Sequence, residues 1–118
     1  MNCRNRGSVS IVAFGVAVWV FSSVAYGVDA ESAKELATQN NCLKYHVEGK
    51  ESDGPAYKKI AAKYKGKPNA EARLIEHIIS GEKATFPDGH QEDHKIVRTM
   101  PPKDMAQIKN LVQWVLSH

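Results

Sequence analysis

Cys42 and His46 stand four residues apart, in a run that reads Cys-Leu-Lys-Tyr-His. On one helical turn, a thiol at this spacing can reach a vinyl group of a haem while the imidazole binds the iron. The usual attachment motif, C-x-x-C-H, has a second cysteine directly before the histidine. Here that position is Tyr45, and a tyrosine cannot add to a vinyl group. The chain could therefore form one thioether at most, through Cys42, and the pentapeptide alone is weak evidence because C-x-x-x-H occurs by chance in many proteins.

The first 27 residues have the pattern of a secretory signal peptide. Arg4 and Arg6 form a basic start, Ile11 to Phe21 are an apolar run, and small residues follow at Ala25 and Gly27. This pattern predicts cleavage near residue 28, which leaves a single domain over 28–118. A retained membrane anchor is the alternative, but the apolar run is shorter than the roughly 20 residues that span a bilayer.

Cleavage also changes the cysteine count. Cys3 leaves with residues 1–27, so Cys42 is the only cysteine of the remaining chain. An exported domain with one cysteine has no internal disulfide, and its thiol needs another explanation. Attachment to haem would supply one, while an intermolecular disulfide or an inert buried thiol are the alternatives.

The charge of the domain is nearly balanced. Arg4 and Arg6 are two of the 16 basic residues, so residues 28–118 carry 14 basic against 13 acidic side chains. Nucleic acid is therefore not an expected partner. Ten residues, 58–67, form a lysine-rich segment without an acid, which contains Lys58, Lys59, Lys63, Lys65 and Lys67. Such a segment is either a solvated helix face or a surface that steers an acidic partner.

Helical spacing predicts an all-α domain, and the first two helices have their own boundary signals. Ser32 with Glu35 resembles a capping box for a first helix that ends at the Cys-His run. Pro55 suits the first turn of a second helix, which Gly66 and Pro68 would end.

The last two helices are marked in the same way. Asn69 can cap a third helix that Gly81 would close, and Asp104 with Gln107 can cap a final helix. Their apolar stripes are Leu74, Ile75, Ile78 and Ile79, then Ile108, Leu111, Val112 and Val115. No stretch shows the alternation of a strand, so we expect a wholly helical domain.

Residues 82–103 make a long polar connection between these helices, and such connections are usually functional or disordered. Near its end Met100 precedes Pro101 and Pro102, which hold the backbone extended. A methionine sulfur aimed from such a frame is a soft iron ligand, and a histidine–methionine pair raises the potential of a haem.

With these features the chain resembles the small bacterial class I cytochromes c, of the cytochrome c551/c552 type. The resemblance runs over almost all of 28–118 and rests on five segments in order. They are Cys42-Leu43-x-x-His46, Gly54-Pro55-Ala56-Tyr57, Ala61 to Gly66, Met100-Pro101-Pro102 and Leu111 to Ser117.

The resemblance implies a fold and an activity. The fold would be a small cytochrome c of about four helices around one haem, with the first and last helices crossing at Leu36 and Trp114. The protein would be a monomeric electron carrier of the periplasm and not an enzyme. Its redox partner would be a protein, possibly acidic, that docks near residues 58–67.

The resemblance also assigns the site. His46 and Met100 would be the axial ligands of the iron, and the Pro55 carbonyl would accept a hydrogen bond from the other nitrogen of His46. Cys42 would hold the haem c covalently, and Tyr57 would contact it. Phe86 stands where relatives often have a tryptophan that donates to a haem propionate, and it lacks that donor.

Tyr45 is the main departure from the resemblance. Single-thioether relatives usually keep the cysteine next to the histidine, and this chain keeps the other. The one haem per chain could be bound through Cys42, bound only by its iron ligands, or absent. The alternative function is a haem-binding, sensing or haemless partner-binding domain that has lost electron transfer.

The segment Asp88 to Arg98 looks inserted relative to shorter relatives, and it holds His90 and His94. On a helix this spacing of four would put both imidazoles on one face, where they could bind zinc or copper. Two solvent-exposed histidines in a hydrated loop are the alternative. Met105, which lacks the proline frame, is expected to pack under the last helix.

Overall fold

The computed structural model describes residues 27–47, 49 and 52–118, so all but the last position of the predicted signal peptide lies outside the described residues. Within these residues, five helices and one hairpin follow in chain order. They are α1 (Ala30–Gln39), α2 (Cys42–Tyr45), α3 (Tyr57–Tyr64), α4 (Ala70–Ser80), β1 (Lys83–Thr85), β2 (Gln91–Asp93) and α5 (Met105–Leu116). Within the described ranges, no helix is both long enough and apolar enough to cross a membrane.

The start of α1 differs from the sequence expectation. Asp29 is the N-cap, and its carboxylate accepts a hydrogen bond from the backbone N–H of Ser32 at 3.0 Å. The predicted capping box at Ser32 is therefore wrong, because Ser32 lies inside the first turn and supplies the donor. At the other end Asn41 takes a left-handed φ of 57°, which separates α1 from the short helix of the Cys-His run.

The boundaries of the later helices follow their sequence signals more closely. Gly81 ends α4 with a left-handed φ of 71°, a conformation that glycine adopts without a steric cost. Asp104 caps α5 by accepting from the N–H groups of Ala106 and Gln107, and the Gln107 side chain donates back to it at 2.9 Å. Both predictions are confirmed. Asn69 holds the N-cap position of α4 without a capping side-chain hydrogen bond.

The core lies where α1 crosses α5, with α3 and α4 packed against the other sides of α5. Ala33 and Ala37 are buried on α1, and their small side chains let the two helices approach closely. Leu36 and Trp114 are both buried in this same cluster, as the resemblance implied. The crossing brings the two ends of the domain together, and Cys42 packs partly buried against this core.

The long connection contains a small antiparallel hairpin, which the sequence analysis did not predict. Strands β1 and β2 pair Lys83 with Asp93 and Thr85 with Gln91, and the Lys83 ammonium lies 3.1 Å from the Asp93 carboxylate. The fold is thus mostly helical with a two-stranded addition. The expectation of a wholly helical domain without strands was wrong at this point.

Candidate functional site

The imidazole of His46 is fixed through one of its two ring nitrogens. His46 follows α2 directly, and its Nδ1 lies 2.9 Å from the backbone oxygen of Pro55. A carbonyl oxygen only accepts hydrogen bonds, so Nδ1 must carry the proton and donate. Nε2 of the neutral ring is then without a proton, which is the form that binds a metal ion.

Gly54 and Tyr57 shape the pocket around this ring. A Cβ added at Gly54 would stand 2.8 Å from Cε1 of His46, so only glycine leaves room for the imidazole. Tyr57, the buried first residue of α3, stacks on the ring with 5.7 Å between centroids. Burial lowers the pKa of His46, although the bond to Pro55 acts in the other direction. The site therefore favours a neutral imidazole.

Cys42 and His46 are held on one turn, as their spacing predicts. The N–H of His46 donates to the carbonyl of Cys42 at 2.8 Å. Cys42 is half-buried against the core, is a free thiol, and burial raises its pKa. The ring of Tyr45 lies beside two lysines, with the ammonium groups of Lys44 and Lys95 at 5.4 and 5.5 Å from its centroid.

Met100 has a fixed backbone and an exposed side chain. Its carbonyl accepts a hydrogen bond from the Gln107 side chain at 3.0 Å. The preceding Thr99 is buried, and its hydroxyl donates to the carbonyl of Pro101 and accepts from the N–H of Asp104. The Met100 residue is 85% exposed and lines a shallow cleft formed with α1 and α5. His46 does not line this cleft. The structure therefore does not bring together the two predicted iron ligands.

His94 is the side chain that the structure places beside His46. The two rings lie 6.1 Å apart with an angle of 30° between their planes, and His94 also contacts His77 at 4.3 Å. Burial is the main cause that lowers the pKa of His94. Sequence reasoning missed this contact, because it depends on the path of the hairpin.

Phe86 and His90 lie together at the other end of the hairpin. Their rings stack with 4.3 Å between centroids, and the exposed His90 is bonded to Asp88. The bond to Asp88 is the main cause that raises the pKa of His90. His90 and His94 do not share a helical face, because residues 91–93 between them form β2. In the part of the chain that the structure describes, no three histidine, cysteine or acidic side chains form a group that could hold a metal ion.

Comparison with known proteins assigns the chain to a family. The family model described as Cytochrome c matches residues 30–118. Cytochrome c-551 of Pseudomonas aeruginosa is 31% identical over 96 residues, which cover 80% of this chain and 84% of that protein. Cytochrome c-552 of Hydrogenobacter thermophilus is 31% identical over 86 residues, which cover 71% and 79%. The chain belongs to the cytochrome c family.

Solved structures agree with this assignment. The class 1 cytochrome MtoD from Sideroxydans lithotrophicus ES-1 is 56% identical and superposes with a TM-score of 0.71, over 77% of this chain and 97% of that one. Cytochrome c552 of Nitrosomonas europaea is 30% identical with a TM-score of 0.57, over 71% and 96%. The structural neighbours are thus class I cytochromes c.

The residues present fit the haem that this family implies. His46 offers an unprotonated Nε2 from a ring held by Pro55, and Gly54 leaves room for the Cε1 and Nδ1 edge of that ring. Cys42 offers a half-buried thiol one helical turn earlier. Among the described residues it has no second cysteine with which to form a disulfide. Tyr45 removes the second thioether from this set.

Proposed function

We propose that this protein is an exported electron carrier with one haem, that it works in the periplasm, and that it turns over no substrate. His46 and Met100 would hold the iron of this haem. The observation that carries the proposal is the His46–Pro55 hydrogen bond of 2.9 Å, within a chain that matches the cytochrome c family over 30–118. This bond sets the tautomer and strengthens the donor nitrogen.

The residues around His46 suit a carrier because they limit motion of the ligand. Pro55 holds the ring by a hydrogen bond, Tyr57 packs on its face, and Gly54 lies against its edge. A ligand held from three directions would change its position little between the two oxidation states of a bound haem. The bound haem supplies the redox chemistry, and the protein supplies ligands, burial and a docking surface.

Cys42 is proposed as the only covalent anchor of the haem, through one thioether. The test is to extract the purified protein with acid acetone after periplasmic expression with haem supply. Wild-type protein should retain its haem, with a pyridine-haemochrome band shifted as expected for one saturated vinyl group. Cys42→Ala should release it while the iron ligands still give an absorbing complex, and Cys3→Ala, in the predicted signal peptide, should retain it.

The other outcomes of this experiment separate the alternatives. Haem that is extractable from the wild type means binding by iron ligands alone, and retention in Cys42→Ala means that Cys42 is not the anchor. A wild-type protein without a Soret band contradicts the carrier and leaves a haemless partner-binding domain.

The lysine-rich segment is proposed as the docking surface for an acidic redox protein. Lys58, Lys59 and Lys63 are exposed on α3, the helix whose first residue packs on His46. A cluster of positive charges raises the rate at which the protein encounters a negatively charged partner. Lys58→Glu with Lys63→Glu should therefore slow electron transfer to an anionic redox reagent and weaken its dependence on salt. Lys34→Glu, exposed on α1, is the control, and an equal effect there would contradict this surface.

A further inference from the structure

The ring of His90, at the tip of the hairpin, has a carboxylate beside each of its two nitrogens. Nδ1 is hydrogen-bonded to the Asp88 carboxylate, and Nε2 lies 3.3 Å from Oε1 of Glu92. An ionised carboxylate only accepts hydrogen bonds, so each ring nitrogen that bonds to one must donate. A neutral imidazole has a single N–H. Only the imidazolium form of His90 can therefore make both bonds at once.

The charges around His90 favour this protonated form. The hydrogen bond to Asp88 is the largest cause that raises the pKa of His90, and Glu92 acts in the same direction. The same hydrogen bond is the largest cause that lowers the pKa of Asp88. Among the described residues, these two carboxylates are the charged groups that act on the ring. The electrostatics and the geometry thus agree.

The imidazolium also closes the turn between the two strands. Phe86 stacks on the His90 ring with 18° between the planes, and the Phe86 N–H donates to the carbonyl of His90 at 2.9 Å. Asp88 belongs to the turn and Glu92 to β2, so the ring ties the turn to the strand that follows it. Strands β1 and β2 have three residues each and are largely exposed, so burial contributes little to holding them together.

We propose that His90 is a pH-sensitive closure of the hairpin, which holds the tip together while the imidazole is protonated and loosens it when that proton is lost. A group with a raised folded pKa adds stability below its unfolded value of about 6.5, and this contribution is lost as the pH rises through the folded pKa. Loss of the proton leaves the two carboxylates without the positive charge between them. The inference goes beyond the proposed function and needs no bound haem.

The test is a pH titration of the whole protein by nuclear magnetic resonance, with hydrogen exchange at the Phe86 amide as a second readout. The pKa of His90 should lie above about 6.5. Protection of the Phe86 amide, relative to its intrinsic exchange rate at each pH, should fall about two- to fivefold across this titration, as expected for an exposed charge pair. Asp88→Asn should lower the pKa of His90, and Glu92→Gln should lower it less, because Asp88 is the larger cause.

Two further variants make the test specific. Asp93→Asn is the matched control, because this carboxylate lies on the same hairpin but pairs with Lys83, and it should leave the titration of His90 unchanged. His90→Gln should make the protection of Phe86 independent of pH over the same range. A His90 pKa at or below about 6.5, or equal effects of Asp88→Asn and Asp93→Asn, would overturn the inference. Protection that keeps its pH dependence in His90→Gln would overturn it as well.

Discussion

The imidazole of His46 lies against the backbone of Gly54, so closely that a Cβ there would stand 2.8 Å from its Cε1 and 3.0 Å from its Nδ1. The same Nδ1 donates to Pro55, the next residue. Two consecutive backbone positions therefore set the orientation of the proposed iron ligand.

Gly54→Ala should displace the His46 ring and weaken the bond to Pro55. We expect His46 to bind the haem iron less tightly. This would be seen as a shifted Soret band and as easier displacement of His46 by added cyanide or imidazole. The matched control is Gly49→Ala, since a Cβ at Gly49 would have no atom within 4 Å. If both variants keep the wild-type spectrum, the contact with Gly54 does not position the ring.

Tyr45→Cys should restore the two-cysteine motif and increase the yield of protein that keeps its haem in acid acetone. A second thioether removes one route of haem loss, and the change removes the contacts of Lys44 and Lys95 with the ring. The control is Tyr64→Cys, which adds a thiol at a half-buried tyrosine that also has two lysines beside its ring. An equal yield from Tyr45→Cys and the wild type, with one vinyl group still saturated, would show that position 45 points away from the haem.

Asn40 should govern the stability of the segment that leads to Met100. Its side chain donates to the carbonyl of Arg98 at 3.0 Å and accepts from the Arg98 N–H at 2.8 Å. Asn40→Ala removes both bonds, and we expect faster hydrogen exchange at the Arg98 amide with a loss of about 1–3 kcal/mol in the free energy of unfolding. Asn69→Ala, at a helix start without a capping side-chain bond, should change neither quantity appreciably.

Local signals in the sequence were sufficient for the helix ends but not for every connection. Asp104 and Gly81 act at their own helix ends, so their residue types predicted their roles. The hairpin was missed because β1 and β2 are short and largely exposed, and alternation is visible only when one face is buried. The turn between them, with Pro87-Asp88-Gly89, was a usable signal.

The sequence likewise predicted only part of the candidate site. The His46–Pro55 bond spans nine residues and follows from a recognisable motif. The approach of His94 to His46 depends on where the hairpin returns the chain, which the spacing of residues cannot reveal. The exposed side chain of Met100 likewise depends on how Gln107 and Thr99 hold its backbone.

Glu82 should make the fold sensitive to acid. Hydrogen bonds from Arg73 and then His77 lower the pKa of this carboxylate below its ordinary value. A lowered folded pKa stabilises the protein above the unfolded value of about 4.3, and this contribution is lost as the pH falls through the folded pKa. The urea midpoint of the wild type should exceed that of Glu82→Gln at neutral pH, and the difference should shrink below about pH 4. A difference that stays constant across this range would contradict the role of Glu82.

The most direct test of the central claim is a potentiometric titration of the purified protein, followed by its haem absorbance. A single-haem electron carrier should contain one haem per chain and change reversibly between two spectra along a one-electron Nernst curve. A protein without a Soret band would contradict the proposal that this cytochrome c carries electrons. A haem that loses its absorbance when it is reduced and then reoxidised would contradict it as well.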